Sequence, residues 1–267
     1  TESREALQRS FRLVHDGFDK DEKSEAVALA HCRLAHAYHI EGIDLAKAAE
    51  HMRSGIGIFE YLMAQEDESN RARMKLRISQ EIYLPFTQLM VDRKEEEEAE
   101  RLCRMSLREN QKIEGFEAVS TAVAHSMLGQ ALVAQNLDSS CQEAREHLEK
   151  AISISDKAYG DASYVSVDSL MALGDLYLKE FEVPGVRFKA TRGSAESKWL
   201  EDARTTFLKA IRAGEDILGR ISLKAVTCLE GLARVRMYLD EIEENALDAT
   251  VLTRDSVAPA PAPSLVL

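Results

Sequence analysis

The stretch "HCRLAHAYH" (His31–His39) gathers four side chains that could hold a metal: His31, Cys32, His36 and His39. Residues three and four apart share a helix face, so Cys32, His36 and His39 would form one stripe. Thiolate and imidazole donors on such a stripe have the geometry of a zinc site. The same stripe is also the one that would line the inner surface of stacked helices. A polar groove lining or packed histidines is the preferred reading, and neither a metal nor a cofactor is expected.

Other catalytic patterns are missing from the sequence. It contains no GxGxxG or GxxxxGK[ST] phosphate loop and no GxSxG elbow. His15, His51, His125 and His147 fall at scattered helical positions with no nucleophile pattern. Cys32, Cys103, Cys141 and Cys228 are widely spaced, form no CxxC pair, and read as buried reduced thiols. No enzyme is expected, and a helical-repeat enzyme is the minor alternative.

The elements that must position these side chains are helical. Of 267 residues, 45% are hydrophobic and 30% charged, a balance that supports a buried core in a globular chain. Runs of Val, Ile and Thr at period two are nearly absent, which favours helix throughout. A net charge of -12 argues against nucleic acid as a partner, because phosphate binding needs a basic face. No apolar run of about 18 residues predicts a transmembrane helix. The opening "TESREALQRSFRLVHDGF" lacks the apolar region of a signal peptide, and Glu2, Glu5 and Asp16 argue against a transit peptide. The expected location is intracellular and cytoplasmic, with a mitochondrion or other organelle after leader removal left open.

Apolar residues at period 3.6 predict helices near 2–17, 24–40, 43–66, 69–91, 94–113, 117–135, 139–158, 163–180, 197–216 and 222–239, with a short eleventh over 240–252. Turns are predicted at Asp16–Lys23, Asn136–Ser140 and Tyr159–Ser163, with Ser139 or Ser140 as a helix N-cap. Pro85 should kink or break the helix that holds it. The charge run "RKEEEEAE" (Arg93–Glu100) reads as a solvated helix start, where acidic residues meet the positive end of the dipole.

The helices fall into pairs. The first of each pair carries a large-small motif: "RLAHAY", "PFTQLM", "MLGQAL", "ALGDLY" and "GLARVR". Its small residue is Ala35, Thr87, Gly129, Gly174 or Ala233, at spacings of 52, 42, 45 and 59 residues. The second helix carries a small-large-small stripe: Ala49/Met52/Gly55, Ala99/Cys103/Ser106, Ala144/Leu148/Ala151 and Ala203/Phe207/Ala210. A glycine inside a helix costs roughly 1 kcal/mol against alanine, and close helix packing is the expected return.

Leu173-Gly174-x-x-Tyr177 followed by Ala203, Phe207 and Ala210 resembles the tetratricopeptide repeat, as does Leu128-Gly129-x-x-Leu132 with Ala144, Leu148 and Ala151. The long period and the "DKAYGDASYVSVDSLMALGDLYL" junction are similar to the kinesin-light-chain subclass. The resemblance is densest over 120–240 and weakest over 68–110. It implies an all-α, right-handed superhelical solenoid of stacked helix-turn-helix repeats. The solenoid would occupy 1–252, with a capping helix in 1–23, repeat pairs over 24–66, 69–113, 117–158, 163–216 and 222–252, and an inserted loop at 181–197. An Ala/Pro-rich extended tail would follow at 253–267.

The resemblance also implies a partner-binding concave face formed by the first helices. Helical phase gives its lining as Leu29, Cys32, His36 and His39; Glu81, Leu84, Gln88 and Val91; Val123, Ser126, Gln130 and Val133; Asp168, Met171, Asp175 and Leu178; Thr227, Glu230, Arg234 and Met237. The candidate partner contacts among them are His36, His39, Gln88, Ser126, Gln130, Met171, Asp175, Glu230 and Arg234. Neither the cationic carboxylate clamp of chaperone co-factor members nor the asparagines of kinesin light chains stand at these positions. The groove is mixed apolar and acidic, suited to a helix or extended segment with apolar anchors and some basic residues. Arg187, Lys189 and Arg192 make the loop after Phe181 a basic contact element on an acidic chain. The expected function is a non-catalytic protein-interaction scaffold or adaptor, a subunit of a larger assembly. A regulatory peptide-binding receptor acting transiently is the alternative.

Overall fold

The structure is a computed structural model that describes residues 23–42, 44–135, 140–160, 163–191, 193–218 and 222–255, with single positions at 5, 9 and 12. The regular structure among the described residues is entirely helical. The fold is a tetratricopeptide-like array of paired helices, as the periodicity requires. Two compact units divide the chain, Thr1–Ala172 and Leu173–Leu267.

In the first unit, α1 (Glu25–Glu41) pairs with α2 (Leu45–Gln65). Then α3 (Glu68–Ile78), a π-helical turn (Ser79–Tyr83) and α4 (Leu84–Asp92) form one interrupted rod against α5 (Glu96–Ile113). Next, α6 (Val119–Gln135) pairs with α7 (Cys141–Tyr159), and α8 (Tyr164–Glu182) begins. The second unit holds the rest of α8, the short α9 (Pro184–Arg187), α10 (Ala195–Leu218) and α11 (Leu223–Asp255).

Short polar caps set most helix starts. Ser24 accepts from the Val27 amide, Asp44 from Lys47 and Asp67 from Asn70. Ser163, Ser194 and Ser222 do the same for Ser166, Ser197 and Ala225. Ser140 does not cap α7: its hydroxyl donates to the Leu132 carbonyl, and Ser139 lies outside the described residues. Gly160 ends α7 at φ 76°, where a side chain would be strained.

Pro85 breaks its helix in a specific way. A proline there cannot donate a hydrogen bond to the preceding turn, and its ring crowds that turn's carbonyl. The backbone responds with the π turn at Ser79–Tyr83, and Pro85 sits in the first turn of α4. Ser79, in the π turn, is fully buried; its hydroxyl meets Ser106 Oγ at 2.5 Å and donates to Asn110 Oδ1 at 2.9 Å. Asn110 Nδ2 donates on to the Ser120 carbonyl, so one polar chain ties the π turn, α5 and the start of α6.

The small residues are where helices touch. A Cβ placed on Gly129 would fall 2.5 Å from Leu148 Cγ, and one on Gly55 would fall 2.5 Å from Cys32 Sγ. In the second unit Phe207 lies between two glycines. A Cβ on Gly174 would fall 2.7 Å from its Cε1, and one on Gly231 would fall 2.5 Å from its Cζ. In the degenerate repeat the partner sizes converge: Thr87 replaces glycine, and Cys103 replaces the large residue, its thiol 3.4 Å from Thr87 Oγ1.

Three boundaries differ from the periodicity. Gly231, not Ala233, is the packing residue of the last repeat, and Ala233 is exposed. The predicted helices 222–239 and 240–252 form the single helix α11, which runs three residues into the predicted tail. The predicted loop 181–197 contains α9, and α10 starts at Ala195 because Ser194 caps it. Most of the predicted helix 2–17 and residues 256–267 of the tail lie outside the described residues.

Candidate protein-binding groove

The four possible metal donors of the His31–His39 stretch face different neighbours. His31 turns to α2, its Nδ1 3.0 Å from His51 Nδ1. Cys32 is buried under Gly55, and burial, helped by Glu81, pushes its thiol up to about 12. His39 turns the other way, its Nε2 2.6 Å from Asp92 Oδ2 on α4. Among the described residues no three His, Cys, Asp or Glu side chains converge on a common point.

What α1 and the interrupted rod build instead is a recess. Leu29, Cys32, Arg33, His36, Met52, Glu81, Ile82 and Pro85 enclose a cavity of about 160 Å³. Four of these, Leu29, Cys32, His36 and Glu81, are predicted lining residues. Ile82 and Pro85 come from the π turn and the residue that causes it. His36 is exposed at the mouth; partial burial, then His39, holds its pKa below the ordinary histidine value. Between α1 and α4, Asp92 bridges two predicted contacts, accepting from Gln88 Nε2 at 3.0 Å while it meets His39. Asp92 was missed because the phase ran through Val91.

Further along the first unit, Gln130 is half-exposed and donates to Ser126 Oγ at 3.1 Å. Ser126 itself is buried, because Ser169 Oγ from α8 donates to it at 2.8 Å; it joins two helices and is closed to a partner. Met171 is half-buried. Val133 is buried as well. The physical reason is drift: three steps totalling ten residues turn a helix about 80° short of three full turns. The drift carries Val133, the last member of its set, into the core.

In the second unit the same drift buries Leu178 completely. Asp175 is half-buried, and burial raises its pKa against the pull of Arg234. Arg234 is exposed and bonds Glu182 at 2.5 Å, and Tyr238 Oη donates to the same carboxylate at 2.7 Å. Glu230 is exposed on α11. The basic loop is anchored rather than free. Arg187 reaches both Glu241 oxygens at 3.1 and 2.7 Å and stacks over the Tyr238 ring at 4.9 Å. Lys189 is exposed, and Arg192 lies outside the described residues. Next to the anchor, Phe188 is 89% exposed, an apolar side chain in water that a charge-based reading passed over.

No family profile matches the chain, and no curated protein matches it. Among solved structures, the chain is similar to the crystal structure of BtubC (BKLC) from P. vanneervenii. The TM-score is 0.58 at 15% identity, covering 100% of this chain and 93% of that one. That likeness carries the fold.

Proposed function

We propose that the chain is a non-catalytic scaffold or adaptor subunit that holds a segment of a protein partner against its first helices. The carrying observation is the recess beside the π turn, where four lining residues chosen by phase meet around one 160 Å³ cavity. Its walls are apolar at Leu29, Met52, Ile82 and Pro85, with Arg33, His36 and Glu81 at hand for polar contacts. That is the make-up of a pocket for an apolar anchor side chain with polar neighbours. The fold likeness to BtubC supports the long-repeat, kinesin-light-chain-like subclass. The acidic balance of the chain favours partners with basic residues and disfavours nucleic acid. No described helix is long and apolar enough to cross a membrane.

The test is photo-crosslinking in native lysate with a benzoylphenylalanine at position 36, and a control at Glu149, exposed on the second helix of another pair. Enrichment of one protein at 36 and its loss at 149 is the expected outcome. Equal labelling at both positions would remove the groove from the proposal.

A further inference from the structure

Two pairs of histidines touch through like nitrogens. His125 on α6 and His147 on α7 place their Nδ1 atoms 2.6 Å apart, with ring centroids at 4.8 Å. His31 and His51 repeat the arrangement between α1 and α2, at 3.0 and 5.2 Å. The two pairs occupy equivalent places in their repeats. His125 and His31 lie four residues before the small residues Gly129 and Ala35; His147 and His51 lie one before the knobs Leu148 and Met52. A contact that recurs at the same repeat position across two helix pairs is a device of the repeat.

An Nδ1–Nδ1 contact at hydrogen-bond distance carries one proton between two nitrogens. Two neutral rings satisfy it, one donating and one accepting. One ring can gain a proton and still donate to the other. When both are protonated, both nitrogens are donors and both rings carry charge, so the contact becomes a repulsion. We propose that the His125–His147 pair is an acid-released latch between α6 and α7, closed with one bridging proton and opened by full protonation.

The surroundings set the order of the two steps. His147 Nε2 lies 3.6 Å from Glu143 Oε1, which stabilises a charge on that ring. From the same helix Lys150 opposes it, and from α5 Arg104 opposes it while holding Glu143 at 2.8 Å. His125 is 5% exposed and faces His147 and Lys150, with no carboxylate among the groups acting on it. From α8 the neutral Ser169 hydroxyl donates to Ser126, the residue after His125. The first proton therefore goes to His147, and the second, on His125, breaks the bond. Burial is the main cause that pushes His125 down to about 4, followed by His147.

The experiment follows imidazole nitrogen resonances of the full chain from pH 7.5 to 3.5, with helicity read in parallel. His147 is expected to titrate first with structure retained, and His125 only as helix content or hydrogen-exchange protection of α6 and α7 falls. His125→Asn keeps an acceptor near the Nδ1 position and cannot charge. It should move the acid transition to lower pH and reduce proton uptake by about one. Because all other acid-sensitive groups are shared, that difference isolates the pair. An unchanged transition in H125N would overturn the latch. So would a wild-type His125 that titrates near pH 6.5 with protection intact, a result that does not depend on the variant folding.

Discussion

Replacing Gly174 by alanine sets two effects against each other. Alanine is the better helix former by about 1 kcal/mol. Its Cβ, however, would stand 2.7, 2.8 and 2.9 Å from three atoms of the Phe207 ring, well inside contact distance. The ring has little room to shift, because Gly231 also packs against it: a Cβ there would fall 2.5 Å from Cζ and 2.7 Å from Cε2. Overpacking of this kind costs about 1–3 kcal/mol, so G174A should destabilise by about 1 kcal/mol net. In a Phe207→Leu background the ring edge is gone, and the same substitution should stabilise by up to about 1 kcal/mol from propensity alone. The sign reversal is the signature, a coupling of about 2 kcal/mol between positions 174 and 207. Urea denaturation of the four proteins, followed by circular dichroism at 222 nm, measures it. If G174A stabilises both backgrounds equally, the glycine was not selected by contact with Phe207, and the packing account of the repeat fails.

The folded pKa of His125, about 4, lies below the ordinary histidine value near 6.5, so neutral His125 stabilises the fold at high pH. That contribution, on the order of 3 kcal/mol, is complete above pH 6.5 and is lost as pH falls through 4, which thermal melts across that window should show. Asp67→Ala removes the cap on Asn70 N–H and should cost about 1 kcal/mol, read as a lower urea midpoint. Arg187→Ala releases the loop anchor at Glu241 and Tyr238. The exposed pair contributes only about 0.2–1 kcal/mol, so stability should barely move while chymotrypsin cleavage after Phe188 accelerates several-fold.

The repeat was legible because its signals are local. Small residues at helical spacing, serine and aspartate caps, and Pro85 each act within a turn or two of themselves. Gly174 and Phe207 stand out in the sequence for the reason they meet in the structure. The last repeat shows the limit: Gly231 and Ala233 are both small, and only the position of Phe207 decides between them. Burial within the lining sets was not legible from phase alone: Val133 and Leu178 are buried, while Met237 is exposed. Ser126 was lost to a partner, Ser169, lying in the next repeat. The histidine pairs are separated by 20 and 22 residues across a turn. No local pattern announces them, yet aligning the repeats would have done so, because both pairs share their offsets from the small residue and the knob. Arg187 read as a free charge because its anchors, Glu241 and Tyr238, lie more than 50 residues away.

The scaffold proposal is tested most directly by gentle purification of the tagged full chain from its native source, with native mass spectrometry of the product. The expected result is a complex heavier than the tagged chain alone, holding one partner in fixed stoichiometry and losing it when Arg33 and His36 are replaced by glutamate. A product with the mass of the tagged chain alone, with no retained partner, would contradict it.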